Sequence, residues 1–237
     1  MTVTNVGRFV DWEGCFNARD LGGIGTLAPG VLVRSDSLDG LTARGWTTLA
    51  AHGVRTVVDL RNDGEPGVDH APRPAGLTTL RIPLDGIEHR DFWDVWWGTP
   101  GFGTPAYFRP FLERFPDRVA AVARAVADAP PGGVVFHCGL GRDRTGLVAL
   151  VLLRLAGADP VEIADDHARS EPRVRARYAA GGRPYDATTI EEYVAGLGTT
   201  VHALAEEAAR WLDAGAYLRA AGLSGRELAR LRGRLRA

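Results

Sequence analysis

The hydrophobic residues of this chain fall into short apolar runs that are separated by segments with helical spacing. Short runs rich in valine, isoleucine and leucine predict buried β-strands. Such runs occur at residues 24–27, 31–34, 54–60, 77–84 and 134–136. Between the first two, Pro29 and Gly30 suit the central positions of a type II turn.

Helices are indicated by capping residues and by apolar positions three or four residues apart. Thr42 is a capping residue, and Gly53 suits the end of the helix that it starts. Two later segments show the capping-box pattern. In this pattern the side chain of the cap residue and that of a glutamate three residues later each accept a hydrogen bond from the backbone N–H of the other residue. Helices are accordingly predicted at residues 42–53, from 117, at 145–157, from 159 and from 224.

The alternation of strands and helices predicts an α/β protein with a central, mostly parallel sheet flanked by helices. No linker, repeat or low-complexity tract interrupts the chain, so residues 1–237 are predicted to form a single domain. Ligands of such sheets bind at the carboxyl ends of the strands. The polar and reactive residues predicted at or near strand ends are Asp20, Asp36, Asp59, Arg61, Asp85 and Cys138.

Composition excludes several classes of protein. Hydrophobic residues make up 45% and charged residues 24%, which is typical of a globular protein with a sizeable core. The net charge of −1 gives no bulk attraction to nucleic acid or to a membrane surface. Cys15 and Cys138 are the only cysteines, and neither a leader nor an apolar run of transmembrane length is present. We therefore expect a protein that binds neither nucleic acid nor membrane and is cytoplasmic, with export in the absence of a signal peptide as the open alternative.

The residues HCGLGRDRTG, from His137 to Gly146, carry the clearest chemistry. Gly139 and Gly141 let the backbone turn so that successive N–H groups point at one anion. The positive end of the following helix and the planar fork of Arg144 strengthen the attraction for phosphate. The same surroundings favour a thiolate on the cysteine, and a thiolate is the form that attacks phosphorus.

This loop resembles HCxxGKDRTG, the signature of an atypical bacterial family of cysteine-dependent tyrosine phosphatases. Two other parts of the chain are similar to motifs of that family, namely NARDLGG at residues 17–23 and the pair VRSD and VVDLR at residues 33–36 and 57–61. The resemblance runs from about Asn17 to the carboxyl end. The loop lysine of the family, which is linked to phosphoinositide preference, is replaced here by Arg142.

The resemblance implies a cysteine-phosphatase fold with a helical or loop lid, and metal-independent hydrolysis of phosphomonoesters through a phosphocysteine. It assigns Cys138 as the nucleophile, Arg144 as the phosphate-binding arginine and Asp143 as the acid that protonates the leaving group. In the wider superfamily the acid lies on a separate loop, and Asp85 is placed like such an acid. The residues expected to bind the phosphate are Gly139, Leu140, Gly141, Arg142 and Thr145, with Thr145 also stabilising the departing thiolate. Supporting roles are expected for His137, Asp85, Arg19 and Asp20.

Three functions remain open. The first is a protein-tyrosine phosphatase, and the second is a phosphatase of a small-molecule phosphate such as a nucleoside, sugar or inositol phosphate. The third, a silent phosphate-binding module, is disfavoured because the nucleophile and the DRT residues after it are all present. A Walker loop is excluded because the chain contains no lysine. The six histidines show no metal-ligand spacing, so neither a metal nor another cofactor is expected.

Two segments allow two interpretations each. Residues 88–111 are rich in aromatic side chains between glycines and prolines. They form either a surface loop that folds back onto the core or a mobile cover that stacks on a ring-bearing substrate. Residues 169–185 contain five arginines, which form either a solvated face or a rim that attracts anions.

Overall fold

A single five-stranded sheet forms the centre of the protein. The computed structural model describes residues 8–185 and 187–236. The strands are β1 Arg19–Asp20, β2 Leu32–Ser35, β3 Val54–Asp59, β4 Thr78–Arg81 and β5 Gly133–His137. Their order is β1-β2-β5-β3-β4, and all neighbouring pairs are parallel except β1 with β2. The predicted α/β fold with a mostly parallel sheet is confirmed.

Helices surround this sheet on both faces. Within the described residues they are α1 Ala43–Ala51, α2 Arg90–Trp96, α3 Phe108–Arg114, α4 Pro116–Asp128, α5 Asp143–Leu155, α6 Pro160–Ala168, α7 Ser170–Ala180, α8 Thr188–Gly196, α9 Val201–Trp211, α10 Ala214–Ala220 and α11 Gly225–Leu235. Short 3₁₀ turns occur at Leu38–Gly40, Pro100–Gly103 and Pro105–Tyr107. The predicted cap at Thr42 accepts the N–H of Gly45 at 3.1 Å, and both predicted capping boxes are formed.

The core lies on both faces of β5, which explains the uninterrupted apolar sequence of that strand. Val134 and Phe136 belong to the larger hydrophobic cluster, which includes the almost completely buried helix α5. Val135 belongs to the smaller cluster around Trp46 and Leu49 of α1. A strand that is buried on both faces gains from apolar side chains at every position. Burial in this way places the end of β5, and the loop after it, at the middle of the sheet edge.

The segment at residues 24–27 is not a strand, so that prediction is wrong. Gly23 and Gly25 have φ angles of +82° and +55°, which turn the chain back on itself. Thr26 donates its N–H and its hydroxyl to the Ala156 carbonyl at 2.9 and 2.7 Å. The apolar residues of this segment face the core from a turn, and the two-residue strand β1 pairs with β2 instead.

The aromatic residues at 88–111 fold back onto the core, as the first of the two interpretations predicts. They form helix α2 and two 3₁₀ turns rather than an open loop. Trp93 is fully buried, and its indole N–H donates to the carbonyl of Asp85 at 2.9 Å. Trp97 stacks on it with the ring centres 5.5 Å apart. Trp96 and Trp97 remain partly exposed.

Candidate active site

The connection from β5 to α5 forms a loop, residues 138–142, at the centre of the carboxyl edge of the sheet. His137 ends β5 level with Ser35 of β2 and Asp59 of β3. Gly141 has a φ of +68°, and a Cβ at this position would lie 2.6 Å from the backbone of Ser35. Only glycine fits there without displacing β2. We call residues 138–142 the central loop.

Cys138 is the first residue of the central loop and is 3% exposed. The hydroxyl of Thr145, in the first turn of α5, donates to the cysteine sulfur at 3.1 Å. A donor at that distance stabilises negative charge on sulfur, and the amino end of a helix has the same effect. The cysteine and threonine predicted from the sequence are therefore brought together.

Arg144 is held by two carboxylates. Its two terminal nitrogens each donate to one oxygen of Glu65 at 2.7 Å, and Asp85 lies 3.2 Å from the first of them. Glu65 and Asp85 raise the pKa of Arg144 even though burial opposes the charged form. The guanidinium is thus permanently charged and fixed in orientation, as a phosphate-binding group requires.

Asn62 and Glu65 belong to the site, although the sequence analysis did not identify them. The Asn62 amide donates to Glu65 at 2.7 Å and to Asp85 at 2.7 Å, so it links the two carboxylates that hold Arg144. Both residues follow the carboxyl end of β3 within a few positions. Their position just after a buried strand is the sequence signal that indicates them.

Asp85 and Asp143, the two candidate acids, occupy different surroundings. Asp85 is buried, and burial raises its pKa although Arg144 and Asn62 oppose the change. Asp143 is the first residue of α5 and its side chain is 18% exposed. Tyr107 lies within electrostatic reach of both, because burial and then the charges of Asp143 and Asp85 raise the pKa of its hydroxyl. No pattern in the sequence indicates this tyrosine.

His137 is buried directly beneath Cys138. Its Nδ1 lies 3.2 Å from the Cys138 carbonyl, and its Nε2 lies 3.9 Å from Asp59. A carbonyl only accepts hydrogen bonds, so Nδ1 carries the proton. Burial lowers the pKa of His137 to about 4, which keeps the ring neutral. The geometry is that of the supporting residue expected from the sequence.

Arg19 reaches the central loop through Asn17. Arg19 is fully buried and donates to the Asn17 side-chain oxygen at 2.5 Å. The Asn17 amide in turn donates to the carbonyls of Leu140 and Gly141 at 3.0 and 3.2 Å. On the far side of the loop, the N–H of Ser37 donates to the carbonyl of Gly139 at 3.1 Å.

Asp20 does not lie at the site, so its predicted position is wrong. Its carboxylate accepts the N–H groups of Gly22 and Gly30 at 2.7 Å each, and His52 lies 3.0 Å away. The reason is the direction of β1, which is antiparallel to β2. The carboxyl end of β1 therefore meets the amino ends of the other strands, where Asp20 braces a turn.

Arg142 connects the central loop to α7 and to the residues after it. Its Nε donates to Asp143 at 3.0 Å and its Nη1 donates to the Tyr185 hydroxyl at 2.7 Å. Glu171 of α7 lies 3.6 Å from the same Nη1. A cavity of about 340 Å³ borders Arg142 and is lined mainly by residues of α6 to α9. Helices α7 and α8 therefore line a cavity next to the central loop.

The arginines of residues 169–185 make contacts within the chain. Arg177 donates to the buried Asp36 at 2.6 Å and ties α7 to the end of β2. Arg175 lies 3.5 Å from Glu171. The guanidinium groups of Arg173 and Arg183 lie over the rings of Phe9 and Tyr178. The contacts of Arg177 and Arg173 fix α7 against the body of the protein, whereas those of Arg175 and Arg183 stay within α7 and the residues after it.

The described residues form neither a metal-type cluster of side chains nor a membrane-spanning helix. Within residues 8–185 and 187–236, no three histidine, cysteine or acidic side chains come together where a metal ion would be held. In the same residues no helix combines the length and the apolar character needed to cross a bilayer.

Comparison with known proteins gives consistent matches. Residues 10–237 match the model of a family described as the tyrosine phosphatase family. A tyrosine-protein phosphatase of Nostoc commune is 32% identical over 219 residues, which cover 86% of this chain and 73% of that protein. The triple specificity protein phosphatase PtpB of Mycobacterium tuberculosis is 29% identical over 197 residues, or 69% of this chain and 71% of that protein.

Proposed function

This chain belongs to the tyrosine phosphatase family, and from that premise we propose that it hydrolyses phosphotyrosine in proteins through a phosphocysteine, without a metal. The observation that carries the proposal is the contact between the Thr145 hydroxyl and the Cys138 sulfur at 3.1 Å, at the amino end of α5. A thiol held in this way is suited to act as a nucleophile and then as a leaving group. A cytoplasmic location and a phosphorylated protein as partner remain part of the proposal.

In the first step the Cys138 thiolate attacks phosphorus. The S–P bond forms as the P–O bond to the leaving group breaks, and Asp143 donates its proton to that oxygen. Arg144 and the N–H groups of the central loop hold the other three oxygens, where charge is concentrated during transfer. The carboxylate pair that fixes Arg144 keeps its fork in place throughout.

In the second step water attacks the phosphocysteine. Asp143, now ionised, accepts a proton from the water, and the S–P bond breaks to release inorganic phosphate. The Thr145 hydroxyl stabilises the thiolate that departs. The chain then returns to its starting state, with Asp143 protonated again and no external reductant or oxidant required.

A second candidate function is the hydrolysis of a small-molecule phosphate, such as a nucleoside, sugar or inositol phosphate. A cavity of about 340 Å³ beside Arg142 is large enough for a small leaving group, although its lining includes neither Cys138 nor Arg144. The central loop itself contacts only the phosphoryl group and does not discriminate between the two substrate classes.

The decisive experiment compares the two cysteines. Cys138→Ser should abolish turnover and retain the binding of phosphate analogues, because serine has no accessible anionic form here. Cys15→Ser is the matched control, since Cys15 is half-buried, donates to the carbonyl of Ser37 outside the central loop, and should be dispensable. Vanadate should inhibit the wild type and EDTA should not. Hydrolysis by Cys138→Ser, or a need for added metal, would contradict the mechanism.

The substrate class needs a separate assay. Phosphotyrosine and phosphoserine peptides, phosphoinositides and metabolite phosphates should be compared by kcat/KM with the wild-type protein. A preference for phosphotyrosine peptides supports the first function, whereas a preference for a small metabolite supports the second.

A further inference from the structure

Three successive carbonyl groups of the central loop are held by side chains from outside the loop. Arg34 of β2 donates to the carbonyls of Gly141 at 2.8 Å and Arg142 at 3.3 Å. Asn17 donates to the carbonyls of Leu140 and Gly141. Because a trans peptide is planar, each N–H points away from the carbonyl that precedes it. Holding these carbonyls outward therefore turns the following N–H groups inward, where an anion would bind.

The side chains that hold the carbonyls share one partner, Asp166 of α6. Its carboxylate accepts from Arg19 Nε at 2.8 Å and from Arg34 Nη1 at 2.7 Å, and its backbone carbonyl accepts from Arg19 Nη2 at 2.8 Å. All three residues are at least 99% buried. Arg19 and Arg34 hold the pKa of Asp166 well below its usual range although burial opposes ionisation.

Two buried arginines would repel each other and lose their orientation without an anion between them. Asp166 satisfies one end of the Arg34 fork, which leaves the other end directed at the Gly141 carbonyl. It satisfies Arg19 from one side, which leaves the Nη1 of Arg19 directed at Asn17. Each path from Asp166 to the loop thus passes through one guanidinium, and the two paths meet at the Gly141 carbonyl.

We propose that Asp166 is a positioning residue for the central loop. It fixes Arg19 and Arg34 so that the carbonyls of residues 140–142 face outward and the N–H groups after them face a bound oxyanion. The relevance to catalysis rests on the proposed function, whereas the effect on oxyanion binding does not. Asp166 does not touch the substrate, and nothing in the phosphatase signature motif includes it.

The test compares Asp166→Asn with its neighbour Asp165→Asn. Asp165 is exposed and pairs with His202 at 2.9 Å, so it has the same chemistry and nearly the same position but lies outside the network. Tungstate binding is measured by calorimetry, and kcat/KM with p-nitrophenyl phosphate is measured alongside. Circular dichroism checks that each variant is folded.

Asp166→Asn should weaken tungstate binding at least about tenfold and lower kcat/KM by about 10²–10³-fold, as expected when oxyanion donors lose their alignment. Asp165→Asn should match the wild type in both assays. A folded Asp166→Asn protein with wild-type tungstate affinity would overturn the proposal. Loss of affinity in both variants would also overturn it, because the effect would then not be specific to the buried network.

A second variant keeps the proposal testable if Asp166→Asn does not fold. Arg34→Lys retains the positive charge beside Asp166, but a single ammonium cannot bridge the carboxylate and the loop carbonyls as a guanidinium fork does. It should therefore fold and show the same loss of tungstate affinity, and unchanged affinity would refute the proposal. Tungstate binding reports on the loop whether or not the chain hydrolyses phosphotyrosine, so a failure of the proposed function would be recognised separately.

Discussion

The identity of the leaving-group acid is open to a direct experiment. Asp143 and Asp85 are each replaced by asparagine, which keeps the shape and removes the transferable proton. Asp85→Asn preserves an acceptor for Asn62 but removes the carboxylate that lies 3.2 Å from Arg144. We predict that Asp143 is the general acid, so that of the two variants only Asp143→Asn lacks it.

The two variants should differ in magnitude and in dependence on the leaving group. Loss of a general acid costs about 10²–10⁴-fold when the leaving group is poor, and much less when it is good. Loss of one hydrogen bond to a charged group costs about 1.5–3 kcal/mol, or about 10- to 100-fold in kcat/KM, regardless of leaving group. In Asp85→Asn, Arg144 keeps both hydrogen bonds to Glu65. We therefore expect the loss of kcat/KM in this variant not to exceed that range.

The assay measures kcat/KM for phenyl phosphate and p-nitrophenyl phosphate with each variant. Asp143→Asn should lose far more activity on phenyl phosphate, whose phenolate is the poorer leaving group. Asp85→Asn should lose the same factor on both substrates. The opposite pattern, a strong leaving-group dependence in Asp85→Asn, would refute this assignment. Asp85 would then be the acid. Burial raises its pKa, which favours the protonated form that a general acid requires.

Three further predictions concern the surroundings of the site. Glu65→Gln should lower kcat/KM about 100-fold by loosening the phosphate-binding arginine, with the melting temperature as a check on folding. Replacing Trp96 and Trp97 by alanine should raise KM for phosphotyrosine peptides more than for phosphoserine peptides; an unchanged preference would assign both rings to the core alone. His137 and His167 are buried with pKa values of about 4 and 3, below the value of about 6.5 in the unfolded chain. Their contribution to stability is therefore complete above pH ~6.5 and is lost as the pH falls, by about 1.4 kcal/mol per pH unit and histidine. Urea unfolding between pH ~6 and ~4 should show this slope, and His167→Phe should halve it; equal slopes in both proteins would contradict it.

The parts of the fold that follow from local interactions were predictable from the sequence. The strand, loop and helix around Cys138 form one continuous segment in which apolar periodicity, glycines and the helix start all agree. The helix caps at Thr42, Asp159 and Ser224 were likewise correct, because a cap involves residues within one turn. Four of the five predicted strands correspond to β2, β3, β4 and β5.

The errors arise where the outcome depends on distant parts of the chain. Residues 24–27 have the composition of a strand, but two left-handed glycines turn the segment and Ala156 satisfies its backbone. Asp20 was placed at the wrong edge because the direction of β1 depends on its pairing with β2. Helices α8 to α10 were not predicted, because α8 has no capping side chain and the caps of α9 and α10, Thr200 and Asp213, lack the glutamate three residues on that completes the boxes of α6 and α11.

The residues that support the site also depend on tertiary structure, and they divide into two sets. Glu65, Asp85 and Asn62 hold the side chain of Arg144, while Asp166 holds the backbone of the central loop through Arg19 and Arg34. A phosphate needs both, since the guanidinium binds two oxygens and the loop binds the remaining charge. The HCGLGRDRTG motif predicts which groups contact phosphate but not which carboxylates orient them. One signal for Asp166 was present in the sequence: on α6 it shares a buried face with Ile163 and His167. An ionised residue on such a face requires a buried cationic partner, and Arg34 at the end of a buried strand supplies it.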